Sequence, residues 1–187
     1  MLVISHVYEL PFGAGRQFVN HGAMSYVVGG WDLSGLWTWY SGMHFDPVNG
    51  VSNISGTQYP GGTNYQRPNV VAGCNPNDVP GGATIQEWFN TACFTLPQLG
   101  TFGNSGAYTL LGPGLFTVDL GLHRNFRIKE TIRLQVRWET FNTTNHANFD
   151  PGASAYTAPV NATGPGAGVI TSTFSSRVMQ LAMKLNF

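Results

Sequence analysis

Apolar and polar residues alternate with a period of two along several stretches of the chain, a pattern typical of strands with one apolar face. The clearest stretch is the C-terminus, where Met179, Leu181, Met183, Leu185 and Phe187 alternate with polar or small residues. The same pattern predicts five strands, at about residues 2–10, 26–42, 115–127, 132–142 and 175–187. We therefore expect an all-β fold, an antiparallel meander of about five long strands.

The lengths of the predicted strands and connections favour a transmembrane barrel. A tilted strand needs roughly 9–11 residues to cross a bilayer, whereas soluble strands commonly have about 5–6. The connections alternate between short and long, as periplasmic turns and extracellular loops do in outer-membrane barrels. We predict periplasmic turns at 11–25 and 128–131, and long extracellular loops at 43–114 and 143–174. Soluble sandwiches also alternate, so a secreted or surface β-sandwich of binding or adhesin type remains the alternative.

In the barrel interpretation, the alternation assigns each strand residue to lipid or to the lumen. The predicted lipid-facing residues are Phe116, Val118, Leu120, Leu122, Ile132, Leu134, Val136 and Trp138. The predicted lumen-facing residues are Asp119, His123, Arg133, Gln135, Arg137, Glu139, Gln180 and Lys184. A three-residue hairpin loop would place His123 opposite Arg137 and Gly121 opposite Glu139. Arg124 falls on the apolar parity, so we expect either a side chain that extends to lipid head groups or a β-bulge.

Composition excludes several classes of protein. Only 10% of the residues are charged, and nine Lys and Arg balance nine Asp and Glu. A nucleic-acid-binding protein would carry a basic excess, so we expect no nucleic-acid partner. A disordered chain would be poor in aromatic residues, which here make up 13%. No run of about 20 apolar residues is present that could form a transmembrane helix.

Few residues have the spacing of a reactive site. Cys74 and Cys93 lack a zinc-site pattern, so the sequence predicts a disulfide, with two free thiols as the alternative. The five histidines lie on different predicted elements and form no HExxH motif. Asp119 and Glu139 could approach each other on neighbouring strands, but charged side chains are routine in a barrel lumen. We therefore expect no catalytic, metal or cofactor site, and an outer-membrane hydrolase is the rival hypothesis.

Several short motifs occur in a fixed order along nearly the whole chain. They are residues 8–13 (YELPFG), 29–35 (GGWDLSG), 88–94 (WFNTACF), 100–106 (GTFGNSG), 111–114 (LGPG), 145–149 (NHANF) and the closing strand to Phe187. In this order they resemble the C-terminal end of TonB-dependent transporters of the Oar-like type. Those proteins begin with a carboxypeptidase-regulatory-like domain and a plug, which precede a large barrel.

The resemblance implies that the chain is the C-terminal segment of a large transmembrane β-barrel in the bacterial outer membrane. The parent protein would take up a scarce solute, whereas five strands alone could not close a barrel or transport. It also implies that Met1 is internal to the parent. The plug, the remaining strands and the segment that binds the energy-transducing TonB complex would precede this chain.

The same resemblance implies a role for the end of the chain. Met179, Leu181, Met183, Leu185 and Phe187 resemble the terminal signal that the barrel-assembly machinery reads by strand addition. The expected partners are therefore outer-membrane lipid, this machinery and the missing parts of the same parent protein.

Overall fold

The computed structural model describes residues 1–49, 66–150 and 160–187. The chain divides into two compact units. The first, which we call the sheet unit, contains Met1–Tyr40, Leu115–Ala147 and Ser175–Phe187. The second, which we call the loop unit, contains Ser41–Gly114 and Asn148–Phe174.

The sheet unit is one antiparallel sheet whose five strands follow one another in chain order. The strands are β1 (Leu2–Glu9), β2 (Trp31–Tyr40), β3 (Leu115–Arg127), β4 (Arg133–Phe141) and β5 (Val178–Asn186). The prediction of an all-β, five-stranded antiparallel meander is confirmed. The β1–β2 and β3–β4 connections leave one end of the sheet, which we call the hairpin end, and the two long connections leave the other.

The register places most apolar residues of the five strands on one side of the sheet. Leu33, Leu122, Trp138 and Leu181 form one continuous row across β2 to β5. The apolar face contains Leu2, Ile4, Tyr8, Trp31, Leu33, Trp37, Trp39, Phe116, Val118, Leu120, Leu122, Phe126, Leu134, Val136, Trp138, Met179, Leu181, Met183 and Leu185. The polar face carries the residues of the opposite parity, including His123 opposite Arg137 and Gly121 opposite Glu139, as the hairpin parity predicts.

The predicted strand at 26–42 is wrong over its first residues, because Gly22–Val28 form a short helix, α1. The backbone turns sharply after it: a Cβ atom at Gly29 would lie 2.6 Å from the Cα atom of Gly13, and Gly30 has φ +70°. The pattern misled because Val27 and Trp31 are four residues apart, a spacing that fits both a strand and a helix. The predicted turn at 11–25 correspondingly contains the start of α1.

The other strand boundaries differ from the prediction by a few residues. β1 ends at Glu9, β4 spans Arg133–Phe141 and β5 begins only at Val178. Ile132, predicted to lie in the fourth strand, precedes it. Its carbonyl oxygen accepts hydrogen bonds from the backbone N–H groups of Ile128 and Lys129 at 3.0 and 3.2 Å, which closes the hairpin.

The two predicted loops do not remain irregular, because their described parts fold together into the loop unit. Its short antiparallel pairs are His44–Phe45 with Leu110–Leu111, Asn69–Val70 with Phe94–Thr95, and Phe149–Asp150 with Ser172–Thr173. Pro47–Val48 pairs in parallel with Val160–Asn161, and Thr91–Cys93 form a 3₁₀ turn. The core consists of Phe45, Phe89, Phe94, Leu110 and Ala162, so both loops contribute to it.

Candidate functional site

On β3, β4 and β5 the charged residues of the polar face separate into two zones along the strands. Asp119 and Glu139 lie toward the end from which the long connections leave. Arg127, Arg133, Arg137 and Lys184 lie in the middle and toward the hairpin end. The sheet brings onto this one face all the residues that the sequence predicts for a lumen, which are Asp119, His123, Arg133, Gln135, Arg137, Glu139, Gln180 and Lys184, and Arg127 lies there as well.

The carboxylates of the polar face are engaged in structural contacts. Asp119 accepts a hydrogen bond from the backbone N–H of Asn142 at 2.8 Å, which fixes the chain as it leaves β4. Glu139 accepts a hydrogen bond from Gln180 on the neighbouring strand. Asp32 lies 3.5 Å from His123 Nε2, with both side chains about one third exposed. The two predicted candidates for a carboxylate pair, Asp119 and Glu139, therefore each bind a different polar partner.

The basic zone differs from the acidic one because its charges are not paired. Arg127 stands directly opposite Arg133 across the hairpin. Within the described ranges, neither side chain forms a hydrogen bond or an ion pair, and the same holds for the side chains of Arg137 and Lys184. Like charges directly opposite each other destabilise a sheet, so this zone requires water or anionic groups in front of it.

A shallow depression of about 310 Å³ lies on the polar face over the middle strand. Gly121 lines it, and a Cβ atom at this position would lie 2.7 Å from Ser34 Oγ. Ser34 Oγ donates a hydrogen bond to the Gly121 carbonyl oxygen at 3.2 Å. Asp119 and Glu139 lie at its rim, so the depression combines backbone, hydroxyl and carboxylate groups.

Arg124 is a charged residue on the apolar face of the sheet, and the structure explains its position. The pairing of β3 with β2 and β4 continues regularly through it, so the predicted β-bulge is wrong. The side chain, which is only 7% exposed, donates hydrogen bonds to the carbonyl oxygens of Tyr26 and Val27 at the end of α1. Its guanidinium also lies 4.0 Å from the centre of the Phe126 ring. These contacts join α1 to the sheet, and they place a cation at the C-terminal end of the helix, where a positive charge is favourable.

Replacing Arg124 with Lys is expected to loosen α1 without unfolding the sheet. An ammonium group cannot reproduce the two-pronged geometry of a guanidinium, and hydrogen bonds that involve a charged group contribute about 1.5–3 kcal/mol each. Hydrogen exchange of residues 22–30 should therefore become faster, while exchange in β3 and β4 stays unchanged. Arg127→Lys is the matched control, and equal exchange of residues 22–30 in both variants would contradict this role.

The loop unit is held together by a disulfide between Cys74 and Cys93, whose Cα atoms are 5.4 Å apart. Cys93 is fully buried. Main-chain hydrogen bonds join the two predicted loops: Trp88 N–H donates to the Gly168 carbonyl oxygen at 2.8 Å, and Ile170 N–H donates to that of Ile85 at 2.8 Å. The unit is therefore a cross-linked, packed structure.

The loop unit carries a cavity of about 380 Å³ between its two segments. Thr91, Phe94 and Leu96 line it from the first segment, and Thr163 and Gly164 from the second. Among the described residues, none that line it is charged. Such a surface suits a neutral solute that has both hydroxyl and apolar groups.

Among the described residues, no three His, Cys, Asp or Glu side chains come close enough to hold a metal ion. In the same residues, no helix has the length and apolar character required to span a membrane.

Sequence reasoning missed two features of this region: the attachment of α1 through Arg124, and the common core of the two predicted loops. The Gly29-Gly30 pair is the one sequence signal that could have separated α1 from β2. No short-range pattern could have indicated the shared core, because Phe45, Phe89 and Ala162 are far apart in the chain.

Comparison with known proteins adds one finding to this geometry. Residues 1–180 match a family model described as an outer membrane beta barrel domain. No curated protein and no solved structure matches the chain.

Proposed function

Because the chain belongs to the family of outer membrane beta barrel domains and so to the bacterial outer membrane, we propose that it forms part of the wall of a TonB-dependent, Oar-like transporter. In this proposal the parent barrel takes up a scarce solute, and the chain supplies its last five strands. The single observation that carries the proposal is the division of one long-stranded sheet into a continuous apolar face and a charged polar face. A barrel wall between lipid and an aqueous lumen has this division.

The open edges of the sheet support a larger barrel. In the described chain, β1 pairs only with β2, and β5 pairs only with β4. Unpaired backbone groups are not tolerated in hydrocarbon, and single-chain bacterial barrels have at least about 8 strands. Further strands must therefore pair with both edges, and we propose that the parent protein supplies them together with the plug and the TonB-binding segment.

The exposure of the apolar face argues against the sandwich alternative. Leu181 and Met183 are 67% and 69% exposed, and every residue of β5 is exposed. In a sandwich this face would be the core and would be covered by a second sheet. In a barrel the same face contacts lipid, so it is exposed when the protein is described without its lipid.

The polar face and the loop unit support transport rather than catalysis. The unpaired basic zone requires water or an anionic surface, which a hydrated lumen with a plug provides. Asp119 and Glu139 are occupied by Asn142 and Gln180, and we propose no catalytic role for them. The uncharged cavity of the loop unit would contact the solute on the extracellular side.

The terminal strand would have a second role during biogenesis. β5 is an edge strand and presents Met179, Leu181, Met183 and Leu185 on one face. An exposed edge offers main-chain hydrogen bonds, and alternate side chains provide specificity. We propose that the barrel-assembly machinery binds this strand and Phe187.

Cross-linking in living cells tests the TonB-dependent part of the proposal. Cells that produce the protein are treated with formaldehyde, and the barrel is captured in denaturant with an antibody against residues 178–186. We expect a heavier adduct that also reacts with an antibody against TonB and that is missing from a strain without TonB. If a known TonB-dependent receptor in the same cells gives an adduct and this barrel gives none, the protein is an outer-membrane barrel of another kind.

A further inference from the structure

Helix α1 lies against the apolar face of the sheet at its hairpin end. Arg124 and Trp31, which are direct neighbours on that face, both reach the last turn of the helix. Trp31 Nε1 donates a hydrogen bond to the Val27 carbonyl oxygen at 3.1 Å, and Arg124 binds the carbonyl oxygens of Tyr26 and Val27. The helix is therefore fixed on the side of the sheet that carries the apolar residues.

The exposed surface of α1 is apolar. Met24, Tyr26 and Val27 are 61%, 64% and 59% exposed, and none of the helix residues is buried. Residues 17–30 contain no Asp, Glu, Lys or Arg. A seven-residue helix is not stable in water by itself, so α1 depends on its attachment to Trp31 and Arg124.

The residues that hold α1 are those that occur where a barrel meets the lipid head groups. Trp31 and Phe126 stack edge to face at 6.3 Å, and the Arg124 guanidinium lies between Phe126 and Tyr26. Aromatic girdles of this kind mark both membrane interfaces of outer-membrane barrels. Arg124 itself is only 7% exposed, and its guanidinium binds the end of α1.

We propose that α1 is an interfacial membrane anchor, which lies in the head-group region of the periplasmic leaflet with Met24, Tyr26 and Val27 in contact with phospholipid. The anchor rests on the proposed function, because it requires that the apolar face contacts lipid and that the hairpin end is periplasmic. We choose phospholipid as the partner because α1 continues the apolar face that, in the proposed function, contacts lipid. Segments in this layer bind through their buried apolar area.

Spin labels at single cysteines test the anchor in the native barrel, reconstituted in vesicles of phosphatidylethanolamine and phosphatidylglycerol. The labelled variants are Met24→Cys in α1, Leu181→Cys on the apolar face, and Lys129→Cys in the hairpin. Labelling without reductant preserves the Cys74–Cys93 disulfide. Collision with oxygen, which concentrates in lipid, is compared with collision with a water-soluble nickel chelate, and only heat-modifiable protein is measured, so that misfolded variants are excluded.

The anchor predicts that the Met24 label collides several-fold more with oxygen than with the chelate, relative to Lys129. The label should also lie at a shallower depth than Leu181. If Met24 behaves as Lys129 does while Leu181 is in lipid, the anchor is wrong and the proposed barrel stands. If Leu181 is in water as well, the proposed function fails together with the anchor.

Discussion

Replacement of Leu181 with Arg is expected to cost about 2–4 kcal/mol of folding free energy, the range for a cation on the lipid face near the bilayer midplane. Leu181 belongs to the row with Leu122 and Trp138, near the middle of the strands. Because its side chain is 67% exposed in the protein alone, the same change would be nearly neutral, within about 0.5 kcal/mol, if this face met water. The size of the effect therefore distinguishes an apolar environment of this face from water.

Gln180→Arg is the matched control, since it lies one residue away on the opposite face. Gln180 faces Glu139, with which an arginine could form an ion pair. The stability of both variants is measured by urea unfolding of the native barrel in lipid vesicles, where the assembly machinery is absent. We expect a large loss for Leu181→Arg and almost none for Gln180→Arg; similar values for the two variants would refute the assignment of faces.

Removal of the disulfide is expected to destabilise the loop unit by about 3 kcal/mol, from the loop-closure entropy of a cross-link over this separation. Cys74 and Cys93 are 19 residues apart in sequence. The variant Cys74→Ser/Cys93→Ala avoids a hydroxyl group at the buried Cys93 position. The described part of the loop unit has a small core of five buried residues, so a loss of this size is a large share of its stability.

Limited proteolysis of intact cells measures this effect. We expect cleavage within residues 66–114 to become faster in the double variant, while the barrel keeps its shift on heating because the sheet unit contains no cysteine. Reduction of the unmodified protein should produce the same fragments. Unchanged cleavage after both treatments would mean that the packed core alone holds the unit.

The sequence predicted best what depends on neighbouring residues. Side-chain parity placed Leu134 and Val136 on one face and Gln135 and Arg137 on the other, and the hairpin register follows from the same parity. Long-range packing left no such trace: Phe45 and Ala162 share a core although the sequence places them in two separate loops.

Arg124 shows where local reasoning reaches its limit. Its parity indicated a cation on an apolar face, for which head groups or a bulge were the available explanations. The partners are instead the carbonyl oxygens of Tyr26 and Val27, which lie nearly one hundred residues earlier in the chain, as the separations of 98 and 97 show. No spacing rule connects a strand residue to a helix end at that distance.

The apparent mass of the native product in membrane fractions tests the central claim most directly. An antibody against residues 178–186 is applied to boiled and unboiled samples of the outer-membrane and soluble fractions. We expect a band several times heavier than the 20.2 kDa of this chain, which is found in the outer membrane and shifts on boiling. A soluble band of 20.2 kDa with no shift would contradict the barrel and restore the sandwich interpretation.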